Sequence, residues 1–181
     1  QTQVKDRTGL FFGQHVRSVI AKLVARFREV TGPDYAERAE AAGVELREAV
    51  ILASMNEAET SVPGDRPRIS RVFHNRIERR MKMQCDPTVM FGLHRAGRPV
   101  RRLSLRDLEF DSPWNTYRVR GLPRGPIGNP GRASLEAAVE PSEGNDLYFV
   151  AAPDGGHRFS ASLAAHRRAV AEWRAYSRSS R

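Results

Sequence analysis

The sequence predicts an α+β fold, a mainly helical domain with one small antiparallel sheet and a long ordered loop rich in proline and glycine. Three observations predict it. Hydrophobic residues recur at helical spacing through most of the chain, strand-like alternation is confined to residues 147–159, and closely spaced prolines and glycines fill residues 110–131. Helices accompanied by a single separate hairpin are typical of the α+β class.

Three helices are predicted first, from hydrophobic stripes and from the residues that stop them. Residues 15–30 carry an apolar stripe at i, i+3, i+4 spacing, which we expect to pack on a core, and Gly32 and Pro33 end this helix. Residues 35–42 continue as a second helix. Residues 46–59 are apolar on several sides, which predicts a buried helix with Glu57 and Glu59 at its far end.

Capping residues predict the next two helices. Asp65 follows a turn at residues 62–64 and is expected to cap a helix that runs through Arg80. Asp86 as N-cap and Pro87 at the first helical position predict a short helix to Gly92. Both signals agree on where that helix begins.

The remaining elements are short until the end of the chain. Residues 104–107 resemble a capping box, with Asp107 in place of glutamate, and residues 134–139 allow one or two helical turns. Residues 147–151 and 157–159 flank the turn signal at 154–156 and predict a hairpin, and residues 161–176 predict a last helix. We expect residues 46–176 to form the functional domain, 1–45 a helical flanking segment of it, and 177–181 a tail.

The composition limits the classes of function. A formal charge of +9 and a pI near 10.7 favour an anionic partner, although the basic residues are scattered and a solvated surface is the more common reading. With a single cysteine, no intrachain disulfide and no cysteine-based zinc site is expected. We predict no metal, no cofactor, no nucleic-acid partner and no membrane-spanning run within this sequence.

Carboxylates and histidines are the candidates for proton transfer, because no nucleophile elbow, metal-spaced histidine pair or phosphate-binding glycine loop is present. Glu57 and Glu59 are two residues apart, which on a helix separates them by roughly 200° around the axis. They cannot both face one cleft. Judged from spacing alone, a glutamate in the position of Glu59 is more often a solvated residue at a helix end than a catalytic one.

A set of ordered motifs changes that balance. The motifs are, in chain order, residues 53–60 (ASMNEAET), 72–76 (VFHNR), 83–89 (MQCDPTV), 111–117 (DSPWNTY), 121–131 (GLPRGPIGNPG), 147–150 (LYFV) and 155–159 (GGHRF). With these motifs in this order, the chain resembles the MltG (YceG-like) family of endolytic murein transglycosylases over about residues 50–170.

The resemblance implies a catalytic role for the glutamate before the threonine, which is Glu59 here, in a lysozyme-like cleft. It leaves the role of Glu57 open, as possible support for the site. It also implies cleavage of the β-1,4 bond between N-acetylmuramic acid and N-acetylglucosamine inside a strand, leaving a 1,6-anhydromuramic end. One carboxylate is enough for this reaction, because it first protonates the leaving oxygen and then takes the proton of the sugar's own 6-hydroxyl.

The other motif residues suit a sugar site, through amide and hydroxyl hydrogen bonds or flat aromatic faces. Each has an alternative role in holding loops, capping a helix or filling the core. The candidates for substrate contact are Asn75, Gln84, Asp86, Ser112, Trp114, Asn115, Tyr117, Asn129 and His157.

Three departures from the family pattern leave Glu59 in place: Asn56 where an aliphatic residue is usual, Cys85 for serine or threonine, and Arg124 for a second proline. The family implies action at the extracytoplasmic (periplasmic) face of the bacterial inner membrane, through an anchor expected in the full-length protein and not in this chain. Peptidoglycan strands are the expected partner, with peptidoglycan synthases as further partners.

Two alternatives stay open at this point. A peptidoglycan hydrolase would pair Glu59 with a second carboxylate, for which the candidates are Asp86, Asp107 and Asp111. A non-catalytic module that binds the cell wall or nucleic acid through its positive charge would show salt-sensitive binding and no turnover.

Overall fold

The computed structural model describes residues 12–179, and their secondary structure confirms the α+β class. Short 3-10 turns lie at Pro63–Asp65 and Asp107–Glu109. The helices and strands are α1 (Phe12–Thr31), α2 (Tyr35–Ala41), α3 (Leu46–Glu59), α4 (Arg66–Glu78), α5 (Asp86–Arg95), α6 (Arg132–Val139), β1 (Tyr148–Ala151), β2 (His157–Ser160) and α7 (Leu163–Ser179). No described helix is both long enough and apolar enough to cross a bilayer.

The chain divides into two compact units, one ending at Tyr35 and the other beginning at Ala36. In the first unit, α1 carries the predicted apolar stripe, but Val19, Ile20 and Leu23 are between 54% and 65% exposed. The expectation that this stripe packs on a core is therefore wrong for the described residues. Hydrophobic periodicity shows which face of a helix is apolar, but it does not show what covers that face.

The second unit is built around α3. A reciprocal hydrogen-bonded box between Glu45 and Glu48 starts this helix, and its large apolar residues Ile51, Leu52 and Met55 are fully buried. It packs against α4, α5 and α6, so three helices surround it. Its end at Glu59 is the point where the chain leaves this core.

The starts of α4 and α5 differ from the predicted caps. Asp65 does precede α4, but its side chain makes no capping hydrogen bond there. In α5, Cys85 occupies the N-cap position and Asp86 is the first helical residue, one position later than expected. The helix also passes through Gly92 to Arg95, because a glycine inside a helix costs only about 1 kcal/mol.

The loop at residues 110–131 has no helix or strand and is fixed by hydrogen bonds to its neighbours. Asn115 Nδ2 donates to the carbonyls of Leu108 and Phe110, and the amide of Ile127 donates to Ser54 Oγ on α3. These bonds hold the loop in the ordered form that the sequence predicts.

The hairpin completes the second unit. Strands β1 and β2 are antiparallel, with Phe149 opposite Phe159 and Ala151 opposite His157. The sheet contacts α7 on one side, and β1 also contacts α4. This packing brings the start of β2 close to the end of α3, which positions the site described next.

Candidate active site

A cavity of about 470 Å³ lies in the second unit, where α3 ends. The loop before α5, the 110–131 loop, α4, the hairpin and α7 all contribute to its walls. The polar and aromatic residues that line it are Glu59, Arg76, Gln84, Asp86, Tyr117, Tyr148, Phe149, His157 and His166.

Glu59 is half-buried in the wall of this cavity. Burial raises the pKa of its carboxyl above the ordinary value, while a hydrogen bond from the Cys85 thiol opposes that rise. The nearby carboxylate of Asp86 also raises the pKa of Glu59, whereas His157 and Arg76 lower it. A carboxyl with a raised pKa keeps its proton to higher pH, as a general acid requires.

Glu57 points to the opposite side of α3, as the helical spacing predicts. Its carboxylate accepts hydrogen bonds from the amide of Gly131 at 3.2 Å and from Ser134 Oγ at 2.5 Å. The bond from Ser134 is the main reason that the pKa of Glu57 is lowered. Glu57 thus binds the N-terminal end of α6 and does not line the cavity.

Asp86 and Tyr117 form a hydrogen-bonded pair on another wall of the cavity. The Tyr117 hydroxyl donates to Asp86 Oδ1 at 2.6 Å, and Lys82 Nζ donates to the Tyr117 carbonyl. Burial, and then the bond to Asp86, raise the pKa of the phenol. Tyr117 therefore stays protonated and holds Asp86 in a fixed orientation near Glu59.

Gln84 lines the cavity with a backbone conformation that side chains rarely adopt. Its φ is 48°, in the left-handed region, and its amide donates to the carbonyl of Thr116. Such a conformation costs free energy and persists where the surrounding structure imposes it, often at functional sites. Here Gln84 lies two residues before α5, next to Cys85, whose backbone is extended.

His157, the first residue of β2, lies at the edge of the same cavity. Its Nδ1 is 2.8 Å from Asp65 Oδ2, and the two side chains are 13% and 19% exposed. The aspartate that the sequence assigned to a helix cap therefore binds a histidine 92 residues further along the chain.

The remaining predicted residues do not line the cavity. Asn75 is buried and donates to the carbonyls of Gly144 and Asp146, and Asn115 holds its own loop in the same way. Ser112 Oγ accepts the amide of Trp114. These three amide and hydroxyl groups hold loops in place.

Trp114 and Asn129 also lie apart from the cavity. The indole packs on the Phe91 ring with centroids 5.6 Å apart, and the Arg95 guanidinium lies over it at 4.9 Å. Asn129 is exposed on the 110–131 loop. Among the predicted contacts, the cavity thus brings together Gln84, Asp86, Tyr117 and His157 with Glu59.

Sequence reasoning missed four of the polar and aromatic residues that line the cavity, which are Arg76, Tyr148, Phe149 and His166. Arg76 is 7% exposed, and its guanidinium donates to the carbonyls of Leu147 and Met83 while lying over the Tyr148 ring. Tyr148 in turn stacks on His166 with ring centroids 5.1 Å apart. The inclusion of Arg76 in one family-like motif was the available signal, but helical spacing only marks it as the polar end of α4.

No three histidine, cysteine, aspartate or glutamate side chains within residues 12–179 come together in a way that could hold a metal ion.

The fold and the cavity define an α+β domain with a carboxylate-centred, aromatic-lined cleft. Residues 11–172 match the YceG-like family, and the chain belongs to that family. It is 40% identical over 126 residues to the "Endolytic murein transglycosylase" of Bacillus subtilis (strain 168), which covers 70% of this chain and 34% of that protein. A Streptococcus pneumoniae (D39) protein of the same name is 28% identical over 160 residues, covering 87% of this chain and 29% of the relative.

A solved structure shows the same fold. The 2.6 Å crystal structure of a yceG-like protein, lmo1499 from Listeria monocytogenes, superposes with a TM-score of 0.73 at 34% identity, over 83% of this chain and 48% of that one. The chain spans about a third of the length of the curated relatives it matches.

Proposed function

We propose that this domain is an endolytic peptidoglycan transglycosylase in which Glu59 is the acid that cuts the glycan strand. The observation that carries the proposal is the half-buried Glu59 carboxyl in the cavity wall, with a pKa raised by burial. The names of the two relatives support the reaction class. The aromatic rings of Tyr117 and Tyr148 offer apolar surfaces for a sugar.

In the first half of the reaction, the Glu59 proton moves to the glycosidic oxygen of N-acetylglucosamine as its bond to the muramic-acid C1 breaks. In the second half, the 6-hydroxyl oxygen of the same muramic acid bonds to C1 and loses its proton to a base. A carboxylate at Glu59 is sufficient as that base. No water is consumed, so the product ends in 1,6-anhydromuramic acid.

A two-carboxylate hydrolase is the second candidate, and one observation favours it: Asp86 lines the same cavity and its charge raises the pKa of Glu59. Its other two candidate partners do not lie there. Asp107 binds Ser104 and the side chain of Asp111 is 96% exposed beside Arg118. The hydrolase would therefore depend on Asp86, whose Oδ1 already accepts the Tyr117 hydroxyl.

Purified glycan strands incubated with the protein test the proposal. We expect anhydromuropeptides by mass spectrometry, none with Glu59→Gln, and unchanged products with Glu57→Gln as the matched control, because Glu57 lies outside the cavity. Products heavier by one water per cut would show hydrolysis. Salt-sensitive binding without any cut would instead indicate a wall-binding module.

We also propose that the protein acts at the extracytoplasmic face of the bacterial inner membrane, where such strands are made, close to peptidoglycan synthases. Membrane fractionation with protease accessibility tests the location. Crosslinking followed by identification of the captured synthase tests the second partner.

A further inference from the structure

The Asp65 and His157 pair is a second proton-transfer group beside Glu59 that the proposed reaction does not yet use. Asp65 lies six residues after Glu59 along the chain, at the start of α4, and His157 opens β2. Their Oδ2 and Nδ1 atoms are 2.8 Å apart. Both side chains are mostly buried, so the pair is held in one geometry.

The bond to Asp65 fixes which ring nitrogen carries the proton. An ionised carboxylate only accepts hydrogen bonds, so Nδ1 of His157 must be the donor. The neutral ring then has its lone pair on Nε2. Within residues 12–179 no group hydrogen-bonds Nε2, and His157 lines the cavity that contains Glu59.

The surroundings of the pair keep the imidazole in place. The Phe149 ring meets it edge-on with centroids 5.5 Å apart, and the Phe159 ring lies at 6.3 Å. A Cβ on Gly156 would lie 3.2 Å from Asp65 Oδ2, so glycine at the hairpin turn leaves room for the carboxylate. The acidic side chains of Asp65 and Glu59 both lie near the imidazole.

We infer that His157 is the base of the second half of the proposed reaction, and that Asp65 is the residue that positions it. As the 6-hydroxyl oxygen bonds to C1, its proton moves to Nε2 of His157, and no water or other reactant is needed. The imidazolium and the Glu59 carboxylate left by the first step then have opposite charges. Transfer of the proton from the ring to Glu59, through solvent, restores both groups for the next cut.

This assignment of the acid to Glu59 and the base to His157 rests on the proposed transglycosylase function and makes it more specific. A carboxylate that serves as both acid and base must reach two positions on the sugar, the glycosidic oxygen and the 6-hydroxyl. Two groups on different elements, one at the end of α3 and one on β2, remove that requirement. An oriented general base contributes typically 10²–10⁴-fold to a rate.

Chemical rescue tests the inference. We expect His157→Ala to lower kcat by about 10²–10⁴-fold, with little change in KM, and added imidazole to restore part of the rate. The restored rate should follow the concentration of unprotonated imidazole as pH is varied, which a structural role for His157 would not produce. His157→Gln, whose amide fills the site and still bonds Asp65 but cannot take a proton, should be as slow as His157→Ala without being rescued.

Asp65→Asn should cause a smaller loss of kcat and an altered pH profile, since the amide no longer fixes one tautomer. Wild-type kcat in His157→Gln would overturn the inference, as would a slow, folded His157→Ala that imidazole does not rescue. If His157→Ala does not fold, the kcat of His157→Gln decides. Failure of the proposed function is separate, because the unsubstituted protein would then release no anhydromuropeptides at all.

Discussion

The buried Cys85 thiol hydrogen-bonds the carboxyl of Glu59, although the two residues belong to different segments of the chain. Burial raises the pKa of the thiol well above its ordinary value, so the sulfur keeps its proton and acts as the donor. This bond lowers the pKa of a carboxyl that burial raises. The proton affinity of the proposed acid is therefore set by opposing contributions, of which burial and this bond are the two largest.

Removing the thiol should move the pH dependence of activity. In Cys85→Ala the bond that lowers the pKa of Glu59 is lost, so the acid form should persist further and the alkaline limb of the activity profile should move to higher pH. Cys85→Ser keeps a donor and serves as the control. An unchanged alkaline limb in the alanine variant would show that the thiol does not tune Glu59.

Glu59→Gln should make the fold more stable at neutral pH. Since the folded-state pKa of Glu59 is raised above its ordinary value of 4.5, the stabilisation from its protonated form is complete below that value and is lost as pH rises through the folded-state pKa. Glutamine carries no such charge. In denaturant unfolding, the free energy of unfolding of the variant should therefore rise relative to that of the wild type between pH 4.5 and the folded-state pKa. Above that pKa the difference between the two proteins should stay constant.

Glu57→Ala should destabilise the protein by about 1 kcal/mol, the usual cost of losing a helix cap, because its carboxylate binds Gly131 and Ser134 at the start of α6. The pKa of Glu57 is lowered, so its contribution is present above the unfolded-state value and is lost as pH falls through the folded-state value. Urea unfolding at neutral and acid pH checks both points. A cost of equal size at acid pH would contradict this role.

Asn56→Leu should raise the free energy of unfolding by about 1–3 kcal/mol, the usual penalty for a buried polar group without a partner. Asn56 is fully buried on α3, and among residues 12–179 neither Oδ1 nor Nδ2 of its amide has a hydrogen-bond partner. Leucine has a similar size, so thermal unfolding measures mainly the removed polarity. Asn56→Ala, which adds a cavity, is the comparison, and a leucine variant of lower stability would refute the prediction.

Gln84→Gly should separate the effect of the backbone conformation of this residue on stability from the effect of its side chain on substrate binding. Glycine adopts a φ of 48° without strain, so the variant should keep or gain stability. We expect KM for strands to rise nevertheless, because the Gln84 side chain that lines the cavity is lost. Thermal unfolding together with steady-state kinetics distinguishes the two effects, and an unchanged KM would exclude substrate contact by Gln84.

Local patterns were sufficient for much of the fold. Residues 46–59 were predicted to be helical, and α3 begins and ends at those residues, because a reciprocal cap and continuous apolar spacing both act within one helix. The opposite directions of Glu57 and Glu59 follow from helical geometry alone. The resemblance of the motifs then selected Glu59, which spacing could not do.

What the sequence did not reveal depends on distant contacts. Asp65 reads as a helix cap, yet its carboxylate binds His157, because a side chain with a distant partner is not obliged to cap its own helix. The exposure of Leu23 on α1 and the position of Arg76 in the cavity wall also depend on residues that are distant in the sequence. Hydrophobic periodicity predicts which face of a helix is apolar, whereas only tertiary packing decides which faces contact each other.

The pairing of Asp65 with His157 has a consequence for synthesis. The two residues are 92 positions apart, and His157 follows Glu59, Gln84 and Asp86 in the chain. These three residues therefore emerge from the ribosome well before the histidine does. A nascent chain thus holds the acid of its proposed chemistry without the imidazole, and only docking of the hairpin onto the helices supplies it. On the inferred mechanism, full cutting activity appears only after the hairpin has docked, late in the maturation of each molecule.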